Sequence, residues 1–188
     1  MKKLLVLSIF LILIFTILTS MAFSEEKVKV NPNDFVTYKS PQGLFEIKIP
    51  KDLKLMEEHK EGVVYGDKEK EILIAAGVRL FNEPNDVKVD MPYIKEQMEK
   101  AIEYMKKAQN GTLVEGPKNY KDGMFFLTKM SRPPFPSPDK EVKKDASYYT
   151  FIFVKPKNEK SCAVIIYLPE KDYATFKPTL EFIVDSLK

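Results

Sequence analysis

Apolar and polar positions alternate over residues 44–49: Phe45, Ile47 and Ile49 fall on one face of a strand, Glu46 and Lys48 on the other. Residues 35–39 read as its partner, because Ser40-Pro41-Gln42-Gly43 between them has turn chemistry, with Pro presetting φ and Gly free to take either sign. Pro50 ends the pair. Residues 63–65 and 71–80 form a second predicted hairpin across the polar segment 66–70. Within it, Ile72-Leu73-Ile74-Ala75-Ala76 is continuously apolar, the pattern of a central strand covered on both faces.

The period then changes from two to 3.6. Met91, Ile94, Met98, Ala101, Ile102, Met105 and Ala108 make one stripe, with Lys and Glu opposite. Asp90 is the expected N-cap, Pro92 fits the first turn, and Asn110-Gly111 supplies the stop. Strands are expected again over 112–114, 124–130, 146–154 and 161–168, the last two as a hairpin. Between 130 and 146 lies an irregular stretch with Pro133, Pro134, Pro136 and Pro138. A closing helix is expected to start at Thr175 as N-cap, with Pro178 in its first turn and Leu180, Ile183, Val184 and Leu187 facing the core. Hairpins separated by one long helix and closed by another predict an α+β fold: an antiparallel β-sheet with helices packed on it. Residues 35–188 are expected to form a single domain after a frayed N-terminus over 25–34.

The first 24 residues carry a different pattern. Lys2 and Lys3 precede an apolar run over 4–18, and Ser20-Met21-Ala22 supplies small residues for cleavage after Ala22 or Ser24. That order predicts a secretory signal peptide over 1–24 and an extracytoplasmic, periplasmic or secreted address. The rival is an uncleaved anchor over 4–23. The run over 4–18, broken only by Ser8 and Thr16, spans about 22 Å as a helix, against about 30 Å of hydrocarbon. The positive-inside rule exports the domain in either case.

At this point a resemblance can be stated. Tyr38-x-Ser40-Pro41-Gln42-Gly43-Leu44-Phe45-Glu46-Ile47-Lys48-Ile49-Pro50 resembles the opening hairpin of PsbP-like proteins, and Phe176-x-Pro178-x-x-Glu181-Phe182-Ile183-x-x-Ser186-Leu187 resembles their closing helix. The order of elements between also fits that group, which includes Mog1 and exported relatives of the DcrB type. Leu53 departs from it, standing where these domains often carry Trp, and Leu187 takes the place of a final Phe. The resemblance implies an α/β/α sandwich around an antiparallel sheet and a non-enzymatic binding or accessory role in an assembly. No metal-ligand motif of the group is matched here.

Composition narrows the chemistry. The net charge is +3 for the whole chain, and +1 without Lys2 and Lys3. That balance gives no electrostatic case for nucleic acid or for an anionic membrane. His59 is the single histidine and Cys162 the single cysteine, so a two-histidine metal site and an internal disulfide are both excluded. Met56-Glu57-Glu58-His59-Lys60-Glu61-Gly62 reads as exposed loop, and Cys162 as a packed core thiol. No phosphate loop, dinucleotide loop or nucleophile elbow occurs.

Carboxylate pairs at Glu57-Glu58, Glu69 and Glu71, and Asp139 and Glu141 leave a carboxylate-dependent envelope hydrolase open as an alternative; the surroundings read as solvated surface. Asn82, Glu83, Asn85, Asp86 and Asp90 offer oxygens for calcium without EF-hand spacing. Asn110-Gly111-Thr112 matches a glycosylation sequon, which the helix stop already explains. No catalytic residue, metal or cofactor is expected. A protein partner or small ligand is, and Arg132 and Phe135 are the candidate binding residues, because the prolines around them restrict the chain before binding.

Overall fold

In the computed structural model, which describes residues 29–79, 83, 87–131 and 146–188, the alternation over 44–49 produces the expected hairpin. Strands β1 (Phe35–Lys39) and β2 (Glu46–Pro50) pair antiparallel with Tyr38 opposite Ile47, and Phe45, Ile47 and Ile49 are fully buried. Ser40 fixes the turn: its Oγ accepts from the backbone N–H of Leu44 at 2.7 Å and of Phe45 at 3.1 Å, while Gly43 takes a φ of +65°. A short 3-10 turn, Pro32–Asp34, stands where the sequence predicts a frayed end, because the Asn31 side chain accepts from Asn33 N–H and caps it.

Next come β3 (Lys54–Glu58), β4 (Gly62–Asp67) and β5 (Ile72–Val78), then helix α1 (Met91–Gln109). Strands β6 (Thr112–Tyr120), β7 (Gly123–Met130), β8 (Tyr148–Lys157) and β9 (Lys160–Pro169) follow, and helix α2 (Tyr173–Ser186) closes the chain. Seven strands form one antiparallel sheet in the order β3-β4-β5-β9-β8-β7-β6, with the β1–β2 hairpin separate. The α+β class is as expected: α2 and the β1–β2 hairpin cover one face, α1 the other, in an α/β/α sandwich.

The period-2 rule sorts the side chains of the central strands between two cores. Phe151 and Phe153 of β8 and Val164 and Ile166 of β9 join Ile74 of β5 under α2, which inserts Leu180, Ile183 and Val184. Ile152 and Val154 go to the other face with Phe126, under Ile94, Met98 and Ile102 of α1. Asp90 caps α1 as expected, its Oδ1 accepting from Tyr93 N–H at 3.1 Å. The left-handed residue at its far end is Asn110, and both Asn110 and Gly111 donate to Met105 O.

Four local expectations are corrected. Residues 54–58 form strand β3 where the sequence reads as an exposed loop from 56 on; all five are exposed, so no alternation marks them. Their charges and a register shift between Leu55 and Glu57 suit an unprotected sheet edge. Strand β6 runs to Tyr120, not merely over 112–114. As the opposite edge it tolerates Pro117 and two register shifts, and a cis bond links Gly116 to Pro117. Helix α2 starts at Tyr173, so Thr175 is an exposed helical residue rather than the cap, and Pro178 lies inside the helix. Tyr173 packs on Tyr149, 4.6 Å between centroids, which favours an early start; Pro178 then removes only the bond to Ala174 O, on an exposed residue. Finally, β5 is covered fully on one face only: Ile72, Ile74 and Ala76 are buried, Leu73 and Ala75 half-buried.

Ile102 is 5% exposed and sits between α1 and the sheet. Ile102→Ala is expected to destabilise the fold by about 2–5 kcal/mol, through lost transfer energy plus a cavity, read as a lower denaturant midpoint.

Candidate functional site

Helix α2 packs on β9 and β2, which leaves the aromatic side chains of β6, β7 and β8 on its flank. A cleft of about 180 Å³ lies there. Its floor is Phe125 and Phe151, stacked with centroids 5.3 Å apart and planes 20° apart. Tyr120 closes one end, edge-on to Phe125 and Phe153 at 6.1 Å and 88° in both cases. Tyr173 closes the other. Lys177 and Glu181 project from α2 and Glu115 from β6. Gly123 makes the aromatic packing possible: a Cβ there would lie 2.5 Å from Val154 O and 2.6 Å from the Phe153 ring.

The cleft's charges are largely matched. Lys118 holds Glu115 at 3.0 Å, and Lys121 holds Asp185, which also accepts from the Tyr120 hydroxyl at 3.0 Å. Burial first, then the bond to Asp185, pushes the Tyr120 phenol up to about 12. Burial and the nearby Glu115 push Tyr173 up as well. Both rings are therefore neutral in ordinary water, and they present apolar faces with a polar tip.

Beside Tyr173 lies a polar knot. Glu170 accepts from Lys129 Nζ at 2.6 Å, from Ser147 Oγ and from the Tyr149 hydroxyl at 3.4 Å, and its own N–H donates to Ser147 O at 2.8 Å. The Lys129 and Ser147 bonds hold the Glu170 carboxyl below its ordinary range, and Glu170 raises Lys129 in return. This knot joins the ends of β7 and β8 that bracket residues 132–145. Arg132 and Phe135, the residues expected from sequence to bind, lie in that stretch and outside the described residues.

A larger crevice of about 310 Å³ runs between the β1–β2 hairpin and the end of α2. Its polar groups are already engaged. Ser186 Oγ accepts from Lys48 N–H at 2.8 Å and donates to Ile183 O at 2.6 Å, and Glu46 and Lys188 exchange backbone bonds at 3.1 and 2.9 Å. It reads as a packing seam.

The other sequence candidates do not converge. His59 is exposed, with Nε2 2.7 Å from Glu57 Oε1. Glu58 accepts from the Tyr38 hydroxyl at 2.7 Å and Glu71 from the Tyr148 hydroxyl at 3.1 Å. Asp139 and Glu141, like Asn82, Asn85 and Asp86, lie outside the described residues. Glu83 is buried against Ser161, and Asp90 is used as the helix cap. Among the described residues, no three His, Cys, Asp or Glu stand close enough to hold a metal ion. No helix among them is long and apolar enough to cross a membrane.

Sequence reasoning missed the cleft. The usable signal was the aromatic run on one face of β8, Tyr149, Phe151 and Phe153, beside Phe125 of β7.

An antiparallel sheet between two helical layers, flanked by a separate hairpin, is a Mog1/PsbP-like α+β fold. Cyanobacterial PsbP (CyanoP) from Synechocystis sp. PCC 6803 superposes with a TM-score of 0.52 at 9% identity, over 89% of this chain and 98% of that one. The Ran-binding protein Mog1p of Saccharomyces cerevisiae gives a TM-score of 0.49 at 11% identity, over 82% and 94%. No protein-family model matches the chain, and no curated protein does either.

Cys162 is fully buried, and that burial pushes its thiol from 9.0 up to about 11. Because the folded value is the higher one, this contribution to stability is complete below pH 9 and is lost as the pH rises towards 11. The native protein is therefore expected to resist a thiol reagent at pH 8, and to react stoichiometrically once unfolded in denaturant.

Proposed function

We propose that this chain is an exported, non-enzymatic binding or accessory module of the cell envelope, and that the cleft between α2 and β6–β8 is its binding site. The observation that carries this reading is a cleft in which the rings of Tyr120, Phe125 and Tyr173 are only partly buried, over the buried Phe151. The PsbP-like fold supports an accessory role, and the pattern of residues 1–24 supports export followed by cleavage.

The hydrolase alternative has one point in its favour: Glu115 and Glu181 come from opposite walls of the cleft. Against it, Glu115 is engaged by Lys118, and about 180 Å³ is small beside the roughly 300–1,000 Å³ of small-molecule pockets.

Two experiments test the proposal. The exported protein should begin at Phe23 or Glu25; an intact mass that includes residues 1–24 would overturn the cleavage reading. In affinity capture from the envelope fraction, the mature wild type should retain a partner. Lys177→Glu, on an exposed helix position, should weaken that retention at least about tenfold, the scale of 1.4 kcal/mol. Phe135→Ala should weaken it too, if the proline-flanked segment contributes as its sequence suggests. His59→Ala should leave it unchanged. Capture insensitive to Lys177→Glu moves the site away from the cleft.

A further inference from the structure

We infer that strand β3 joins this chain to a second copy of itself, antiparallel and edge to edge, in a two-fold dimer. The surface lies at the opposite edge of the sheet from the cleft, so the inference stands apart from the binding reading.

β3 is an outermost strand of the seven-stranded sheet, and all five of its residues are exposed. The outer row of backbone N–H and C=O groups on such a strand is a template for another strand. Two large apolar side chains stand side by side on it, Leu55 at 51% and Met56 at 39% exposure. Among the described residues, no other two exposed large apolar residues are neighbours in sequence.

The order of charges selects the partner. Lys54-Leu55-Met56-Glu57 reads cation, apolar, apolar, anion. Laid antiparallel on a second copy about its own centre, it sets Lys54 opposite Glu57 and Leu55 opposite Met56, and the two-fold axis repeats both pairs. Opposite charges and apolar side chains stabilise when they face each other across strands, and like charges directly opposite do the reverse. A parallel copy would put Lys54 on Lys54 and Glu57 on Glu57. The charges that blunt this edge against other strands therefore admit its own antiparallel copy.

The register shift supplies the geometry. Cross-strand partners point to the same face of a sheet, yet residues three apart on a regular strand point to opposite faces. Here Lys54 pairs with Gly66 of β4 and Glu57 with Val64, two positions that share a face, because the shift between Leu55 and Glu57 inserts one residue. Lys54 and Glu57 thus stand on one face, as pairing with each other across the two-fold axis requires. Glu57 keeps Oε1 on His59 Nε2 at 2.7 Å, and its second oxygen remains for the lysine. A five-residue edge buries less than the roughly 1,200 Å² of a stable complex, so the dimer is weak and reversible.

Sedimentation equilibrium of the exported protein from about 10 µM to about 1 mM tests this, and the average mass should rise towards that of two copies. Lys54→Glu and Glu57→Lys each set like charges opposite one another at two places. Each should weaken self-association at least about fourfold. An equimolar mixture of the two variants regains both opposite-charge pairs in the mixed dimer and should associate as well as the wild type. Both positions are exposed, and an unchanged denaturant midpoint shows that each variant keeps the fold. A wild type that stays monomeric at the highest of these concentrations overturns the inference. So does a dimer that ignores both substitutions, because it uses another surface, and so does a mixture that associates no better than either variant alone.

Discussion

Seven strands at about 4.8 Å spacing make a sheet about 29 Å across, while a helix with its side chains covers about 10–12 Å. Two helices therefore cannot shield both faces, and the arrangement of this molecule follows from how that deficit is shared. On the first face, α2 is joined by the β1–β2 hairpin, which drives Phe45, Ile47 and Ile49 into the gap over β9, β5 and β4. On the second, α1 packs on β6, β7 and β8. Each helix thus leaves part of its face to something else. The cleft is the place on the first face where neither α2 nor the hairpin reaches the outer strands.

The deficit also explains the residue types found there. An outer strand whose inner face is only partly covered needs side chains that tolerate both water and packing. Tyr120 of β6 does this, its hydroxyl donating to the exposed Asp185 while its ring packs edge-on against Phe125 and Phe153. The stacking of Phe125 on Phe151, with Tyr120 edge-on to Phe125, fixes the floor by strand register rather than by loops. A site built that way loses little freedom when occupied, the condition under which a small contact area gives useful affinity.

Much of the fold was legible because burial writes itself into period. The alternation over 44–49 buried Phe45, Ile47 and Ile49, and the helical stripe buried Ile94, Met98, Ile102 and Met105, with Met91 and Ala101 half-buried and Ala108 exposed at its margins. The misses share one cause: no periodic burial. Strand β3 is exposed along its whole length, and β6 has bulges and a proline that an interior strand would not accept. The start of α2 was misplaced because a Pro reads as a first-turn residue, whereas the contact between Tyr173 and Tyr149 lies across 24 residues of chain and leaves no local sign.

The candidate site was less legible for a related reason. Sequence attention goes to chemically unusual residues, and this chain offers one imidazole, one thiol and a cluster of prolines. The imidazole is solvated beside Glu57 and the thiol is packed under α2, each satisfied where it stands. The cleft instead consists of residue types that any core contains, and it becomes visible only when strand register brings Tyr120, Phe125 and Phe151 to one face and α2 stops short of them. The polar knot around Glu170 fits the same view. Three side chains, Lys129 of β7, Ser147 and Tyr149 of β8, converge on the Glu170 carboxylate, so the ends of β7 and β8 are tied together beside Tyr173 by groups that satisfy one another.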